Sequence, residues 1–219
     1  MNSDFKIASV TEQFSRLFAS KRELITSGTP EYINKQRDDA IRHFKNLVFP
    51  GRNSEDYKYT NLEKLFEKDI NHVLQPKEID FELEDIFSCD IPELDTHVVL
   101  VLNGFFYSAN GSLNVSENGV IMGSMREAMH KYPDIFEKHY GKYADTITDP
   151  LSALNTAFAQ DGVFLYIPAN QKIDKPLQII HLLLSDEDQM VQHRNLFVLE
   201  ENSEAEILIC DHTLSTQNF

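Results

Sequence analysis

Two short apolar runs decide the reading of this chain: Val163-Phe164-Leu165-Tyr166-Ile167 and Leu177-Gln178-Ile179-Ile180-His181-Leu182-Leu183-Leu184. Both are too short for typical helices, rich in β-branched and large apolar residues, and bounded by polar turns, so each reads as a strand. Leu196–Glu200 and Ala205–Ile209 repeat the pattern. A sheet with one wet face alternates apolar and polar residues. Here Leu182 to Leu184 and Leu196 to Leu199 run together, so both faces require cover. A stacked solenoid or a sandwich supplies it, and periodicity leaves both open because no exact repeat unit is visible.

Working outward, the chain changes character near His97. Val98–Leu102 reads as a buried strand, Asn103-Gly104 as a hairpin turn and Phe105–Tyr107 as the returning strand. Asn110-Gly111 and Asn118-Gly119 punctuate Leu113–Val115 and Val120–Met122 in the same way. A helical insertion follows near 124–160. Met125–Tyr140 is expected to break at Tyr132-Pro133, and Asp149-Pro150 opens a helix whose stripe is Leu151, Leu154, Ala157 and Phe158. Asp161-Gly162 stops it.

The first 50 residues have helical spacing. Ile7, Val10, Phe14, Leu17, Phe18, Leu24 and Ile25 form one stripe, with Ser9 and Glu12 as a capping box. After Gly28, Thr29 is expected to cap a second helix with Pro30 in its first turn. Its apolar face is Ile33, Ala40, Ile41, Phe44, Leu47 and Val48. These readings give an α+β chain, mainly β in its second half. Residues 1–95 are a helical domain and linker, and residues 96–219 begin the β core.

The formal charge is −15, from 35 acidic and 20 basic residues. No basic run can neutralise a nucleic-acid backbone or hold an anionic membrane. No stretch approaches the roughly 20 apolar residues of a membrane span, and Met1–Val10 lacks a signal-peptide pattern. The expected location is the cytoplasm. Cys89 and Cys210 do not form a CxxC pair. P-loop, GxGxxG and GxSxG motifs are absent.

Several residue groups have chemical potential. Glu206, Cys210 and His212 share one face of a strand, but a closed metal site needs more ligands, so the expectation is a buried Cys beside a solvated His. His181, inside an apolar run, is expected to be a hydrogen-bonded structural histidine. His193-Arg194 reads as a surface turn pair. Glu200, Glu201 and Glu204 could suit acid/base work on sugars, yet adjacent acids on a strand point to opposite faces, so they read as turn residues. No catalytic, cofactor-binding or metal residue is assigned.

Three segments together carry a resemblance. Arg52-Asn53-Ser54-Glu55-Asp56-Tyr57-Lys58-Tyr59-Thr60-Asn61-Leu62 is similar to the R-x-x-E-D-W-K-Y-T-x-L signature of the SufD family, with Tyr57 in place of Trp. Leu154–Pro168 resembles its L-N-x-A-F-x-x-D-G-x-x-x-x-I-P motif. His193–Ala205 resembles H-P-R-N-L-x-x-x-x-E-N-S without the Pro. The resemblance implies a helical N-terminal domain followed by a right-handed parallel β-helix, incomplete in this chain. It also implies a non-catalytic scaffold subunit of the SUF-type iron–sulfur cluster assembly complex, supporting cluster assembly and iron acquisition. The implied partners are a SufB-like paralogue and a SufC-like ABC ATPase, which supplies the ATPase activity. A homodimer is a further arrangement. No cofactor is expected on this chain, and the Fe–S cluster belongs to the full complex. The stop at Phe219, just after a strand, reads as a truncation that omits the ATPase-binding helices. The rival reading is a carbohydrate-active β-helix protein.

Overall fold

The computed structural model describes residues 9–51, 54–68, 70–76, 95–108 and 112–214. Ile7, Cys89 and the Asn110-Gly111 turn lie outside them. Among the described residues there are six α-helices: α1 (Val10–Thr26), α2 (Glu31–Asn46), α3 (Leu62–Phe66), α4 (Met125–Lys131), α5 (Pro133–His139) and α6 (Pro150–Phe158). The strands are β1 (Asn71–His72), β2 (His97–Leu102), β3 (Phe105–Tyr107), β4 (Leu113–Val115), β5 (Ile121–Ser124), β6 (Val163–Ile167), β7 (Leu177–Leu183), β8 (Gln189–Met190), β9 (Leu196–Leu199) and β10 (Ile207–Thr213). The chain is mixed α+β. It divides into two compact units, residues 1–71 with 132–159 and residues 72–131 with 160–219.

The first unit is helical. Ser9 Oγ accepts the Glu12 N–H at 3.2 Å, while the Glu12 carboxylate reaches forward to Arg16, so only half of the expected capping box forms. Val10, Phe14, Phe18 and Ile25 are buried from α1, and Ile33, Ala40, Ile41 and Phe44 from α2. Two expectations fail here. Thr29 is not a cap: its hydroxyl bonds the Thr26 carbonyl and Asn34 instead, and Pro30 takes the N-cap position. Helix α2 also stops at Asn46, leaving Val48 89% exposed rather than on the apolar face. The core is aromatic. Phe14 packs edge-on against Phe44 and Phe158, with centroids 6.4 and 5.9 Å apart, and Phe18 against Phe158 at 5.7 Å. Asp149 starts α6 by accepting the Leu151 and Ser152 N–H groups at 3.0 and 3.1 Å. Arg37 is fully buried in this unit and donates to the Ala157 carbonyl at 3.1 Å.

The second unit contains two four-stranded sheets, ordered β10-β7-β2-β3 and β4-β5-β6-β9. Their inner faces meet in a core that includes Val99, Val101, Leu177 and Ile179 from one sheet and Val163, Leu165 and Ile167 from the other. Each fully buried aliphatic side chain contributes up to about 1.5–3 kcal/mol. The Asn103-Gly104 hairpin forms as the sequence requires, with both residues at positive φ (47° and 84°). Asn118-Gly119 closes the β4–β5 hairpin with Gly119 at φ 82°. Strands β2, β7 and β10 are parallel neighbours, and β6 and β9 pair parallel. The doubly covered strands predicted from sequence are β6 and β7, which are almost wholly buried; β9 and β10 are sheet edges and are partly exposed.

Candidate functional site

The parallel pairs arrange the chain as two successive layers. Phe164 lies beside Leu196 and Ile167 beside Leu199, 32 positions on, and Lys172 bridges to Glu204 at the same offset. Beyond the corner the offset is 30, as Leu177 meets Ile207 and Leu183 meets Thr213. The corners stack as well. Asn170 and Asn202 both take left-handed backbone conformations (φ 62° and 56°), and the Asn202 amide donates to Asn170 Oδ1 at 3.2 Å. Asn tolerates this conformation better than most residues do. Asn202→Ala is therefore expected to cost about 1–2 kcal/mol, by adding strain and removing the bond between corners. Urea denaturation followed by far-UV circular dichroism measures this, and Asn202→Gly should lose less than Asn202→Ala.

Where the second layer begins, two of the quoted segments interlock. The Arg194 N–H donates to the Asp161 carbonyl at 3.0 Å, and the Asn195 side chain accepts the Val163 N–H at 2.9 Å. Gly162 (φ 154°) lies between them, so close that an added Cβ would fall 1.9 Å from the Arg194 carbonyl oxygen. The Asp161 side chain is buried. Oδ1 accepts from Ser124 Oγ and Arg126 N at 3.0 and 2.9 Å, and Oδ2 from Phe106 N at 3.0 Å. Burial pushes its carboxyl above the ordinary range, against the pull of these bonds.

The sequence candidates distribute as follows. His181 is buried and shares a hydrogen bond with Asp211 (Nδ1 to Oδ1, 2.9 Å), the structural role expected of it. His193 corrects the surface-turn reading: its ring lies 4.1 Å from that of His181, and burial is the main force pulling its pKa down to about 4. Cys210 is half-buried, with Gln178 Nε2 3.9 Å from its sulfur. Among the described residues no group of three or more His, Cys, Asp or Glu side chains could hold a metal ion. Glu200, Glu201 and Glu204 surround the Asn202 corner, where Ser203 Oγ bonds the Glu200 carbonyl at 2.7 Å. In the first unit, Tyr57 and Asn61 line an open cleft of about 960 Å³ with Phe49 and Asp149. Tyr59 projects outward, 93% exposed, with Lys58 Nζ 5.4 Å from its ring centroid. Sequence reasoning missed the cross-layer role of Asp161, Arg194 and Asn195. Its signals were the polar run His193-Arg194-Asn195 placed before an apolar strand and the presence of Asp161-Gly162 and Arg194-Asn195 in the quoted segments.

The edges of both sheets at the second layer, β9 and β10, carry exposed apolar side chains, Leu199 at 44% and Ile209 at 48%. Layered parallel strands with tied corners and two open edges make the second unit a strand-stacking one, and the chain joins it to a helical unit. The model of the SufBD protein N-terminal region matches residues 8–179. An iron–sulfur cluster assembly SufBD family protein of Synechocystis sp. is 27% identical over 209 residues, covering 94% of this chain and 45% of that protein. The iron–sulfur cluster assembly protein SufB of Bacillus subtilis is 23% identical over 187 residues, covering 80% and 39%. An Arabidopsis thaliana SufBD family protein is 38% identical over 89 residues, covering 41% and 19%. This chain belongs to the SufBD family, and it spans less than half the length of these relatives.

Proposed function

We propose that this chain acts in iron–sulfur cluster assembly as a non-catalytic scaffold subunit of the SufD branch. Its partners in this reading are a SufB-like paralogue and a SufC-like ABC ATPase, in the cytoplasm. The carrying observation is the family match over residues 8–179, joined to relatives whose names place them in cluster assembly. The three quoted segments support the SufD branch. The layer-on-layer parallel pairing at offsets of 32 and 30 residues supports reading the second unit as the start of a right-handed β-helix. A rigid stack of this kind can accept a further strand along β9 or β10 by main-chain hydrogen bonding. The cluster is cargo of the whole assembly, and no residue here is assigned to hold it.

The carbohydrate-active alternative gains no support, since the acids it would use surround a turn and the relatives' names point elsewhere. The deciding experiment tags the gene product in its native host and identifies what co-purifies. Stoichiometric recovery of a sequence-related subunit and an ABC ATPase is expected. Recovery of the protein alone, with turnover of an acidic polysaccharide, would replace the scaffold reading with the rival.

A further inference from the structure

His181 on β7 belongs to the first strand layer, and it touches the second layer at two points. Asp211 on β10 meets its Nδ1 at 2.9 Å, and the His193 ring, just before β9, lies 4.1 Å from its own at 49°. His181 is 6% exposed, and its Nε2 has no hydrogen-bond partner among the described residues. We propose that the His181–His193–Asp211 contact is a proton-operated latch that holds the second layer, Leu196–Thr213, on the first and releases it in mild acid.

Titratable groups face His193 from both strand layers. Strand β7 presents His181 and β10 presents Asp211. The hairpin turn packed on the same segment contributes Gly104 and the uncharged Asn103; a Cβ at Gly104 would lie 3.8 Å from the His193 Cβ. The next residue along the chain is the permanently charged Arg194. A proton on His193 thus lies beside a second imidazole in a half-buried position, and Asp211 favours it. Burial, then His181, holds the His193 pKa down to about 4 against the usual 6.5, while Asp211 works against both. The sign follows. Between those values a released His193 binds a proton that the latched one does not, so latching weakens as pH falls, by up to about tenfold per pH unit. Above about pH 6.5 both forms are neutral and the latch is at full strength. This inference does not depend on the assembly role.

The test is backbone amide exchange on the full chain between pH 7.5 and 5, corrected for intrinsic rates. Protection in Leu196–Leu199 and Ile207–Thr213 should fall by up to about 30-fold, the effect of one proton over the 1.5 pH units from 6.5 to 5. Protection in Ile121–Ser124 should hold. His193→Gln should flatten the pH dependence of the second layer. Imidazole NMR of the unmutated chain supplies a readout that survives if the variant does not fold: the His193 ring should stay neutral to near pH 4. Titration near 6.5, equal loss of protection across both layers, or an unchanged pH dependence in a folded His193→Gln would each overturn the latch.

Discussion

Gly162→Ala is expected to lower the thermal unfolding midpoint by about 10 °C or to prevent folding of the second unit. The added Cβ would fall 1.9 Å from the Arg194 carbonyl oxygen, 2.6 Å from its carbon and 3.0 Å from Asn195 Oδ1. These obstacles are mainly backbone, so no side-chain rotation relieves them. The backbone is also pinned on both sides of the clash, by Arg194 N to the Asp161 carbonyl and by Asn195 Oδ1 to Val163 N. Moving the connector away would break both bonds. The φ of 154° adds strain for any L side chain. Overpacking and strain together amount to about 2–6 kcal/mol. In a chain of this size each kcal/mol shifts the midpoint by roughly 2–4 °C. Gly51→Ala is the control: among the described residues its Cβ would meet only the Glu63 carboxylate, at 3.2 Å, the movable end of an exposed side chain. Far-UV circular dichroism on both variants decides it, and a Gly162→Ala shift no larger than that of Gly51→Ala would show the connector to be soft.

Where the causes are local, the sequence could be read directly. Strand β6 forms at the predicted residues, the helix broken at Tyr132-Pro133 is α4 and α5, and Asp149 caps α6, since capping, proline geometry and apolar runs act within a few positions. Strand β10 was expected at Ala205–Ile209 and forms at Ile207–Thr213. Its limits come from pairing with β7, which carries Asp211 and His212 into register with His181 and Leu182. An edge strand admits such polar residues because one side faces water. The layer repeat was hidden for a related reason. Pro168-Ala169-Asn170-Gln171 and Glu200-Glu201-Asn202-Ser203 build equivalent corners but share only the Asn, because backbone shape, and not side-chain identity, makes the corner. Arg37 escaped notice because periodicity assigns a charged residue to the solvent side. The Ala157 carbonyl that accepts from it lies 120 positions away. The quoted segments fared differently: Asp161-Gly162 and Arg194-Asn195 were legible as a resemblance, and their contact explains physically why those residue types stand there.

Asp161→Ala should cost about 3–5 kcal/mol, and Asp161→Asn about 2. One carboxylate gathers three parts of the second unit: Phe106 N on β3, Arg126 N at the start of α4, and Ser124 Oγ, which itself accepts the Glu127 N–H at 3.1 Å. The Gly162 N–H completes the set. Alanine removes every acceptor and leaves the donors without partners, at about 1–3 kcal/mol for each one that stays buried and dry. Asparagine keeps one oxygen but turns an amide N–H₂ toward donors that need an acceptor. The pH dependence adds a check. Because burial raises the folded-state pKa of this carboxyl above its unfolded value, the stability linked to its protonation is fully present in acid and is lost as pH rises through the raised value. The asparagine variant cannot titrate here, so its deficit relative to the unmutated chain should narrow as pH rises. Amide exchange localises the effect: Phe106 and Arg126 should lose protection first, ahead of Leu177–Leu183. If protection at Phe106 and Arg126 survived Asp161→Ala, the carboxylate would not be what joins the hairpin, the helix and the strand layer.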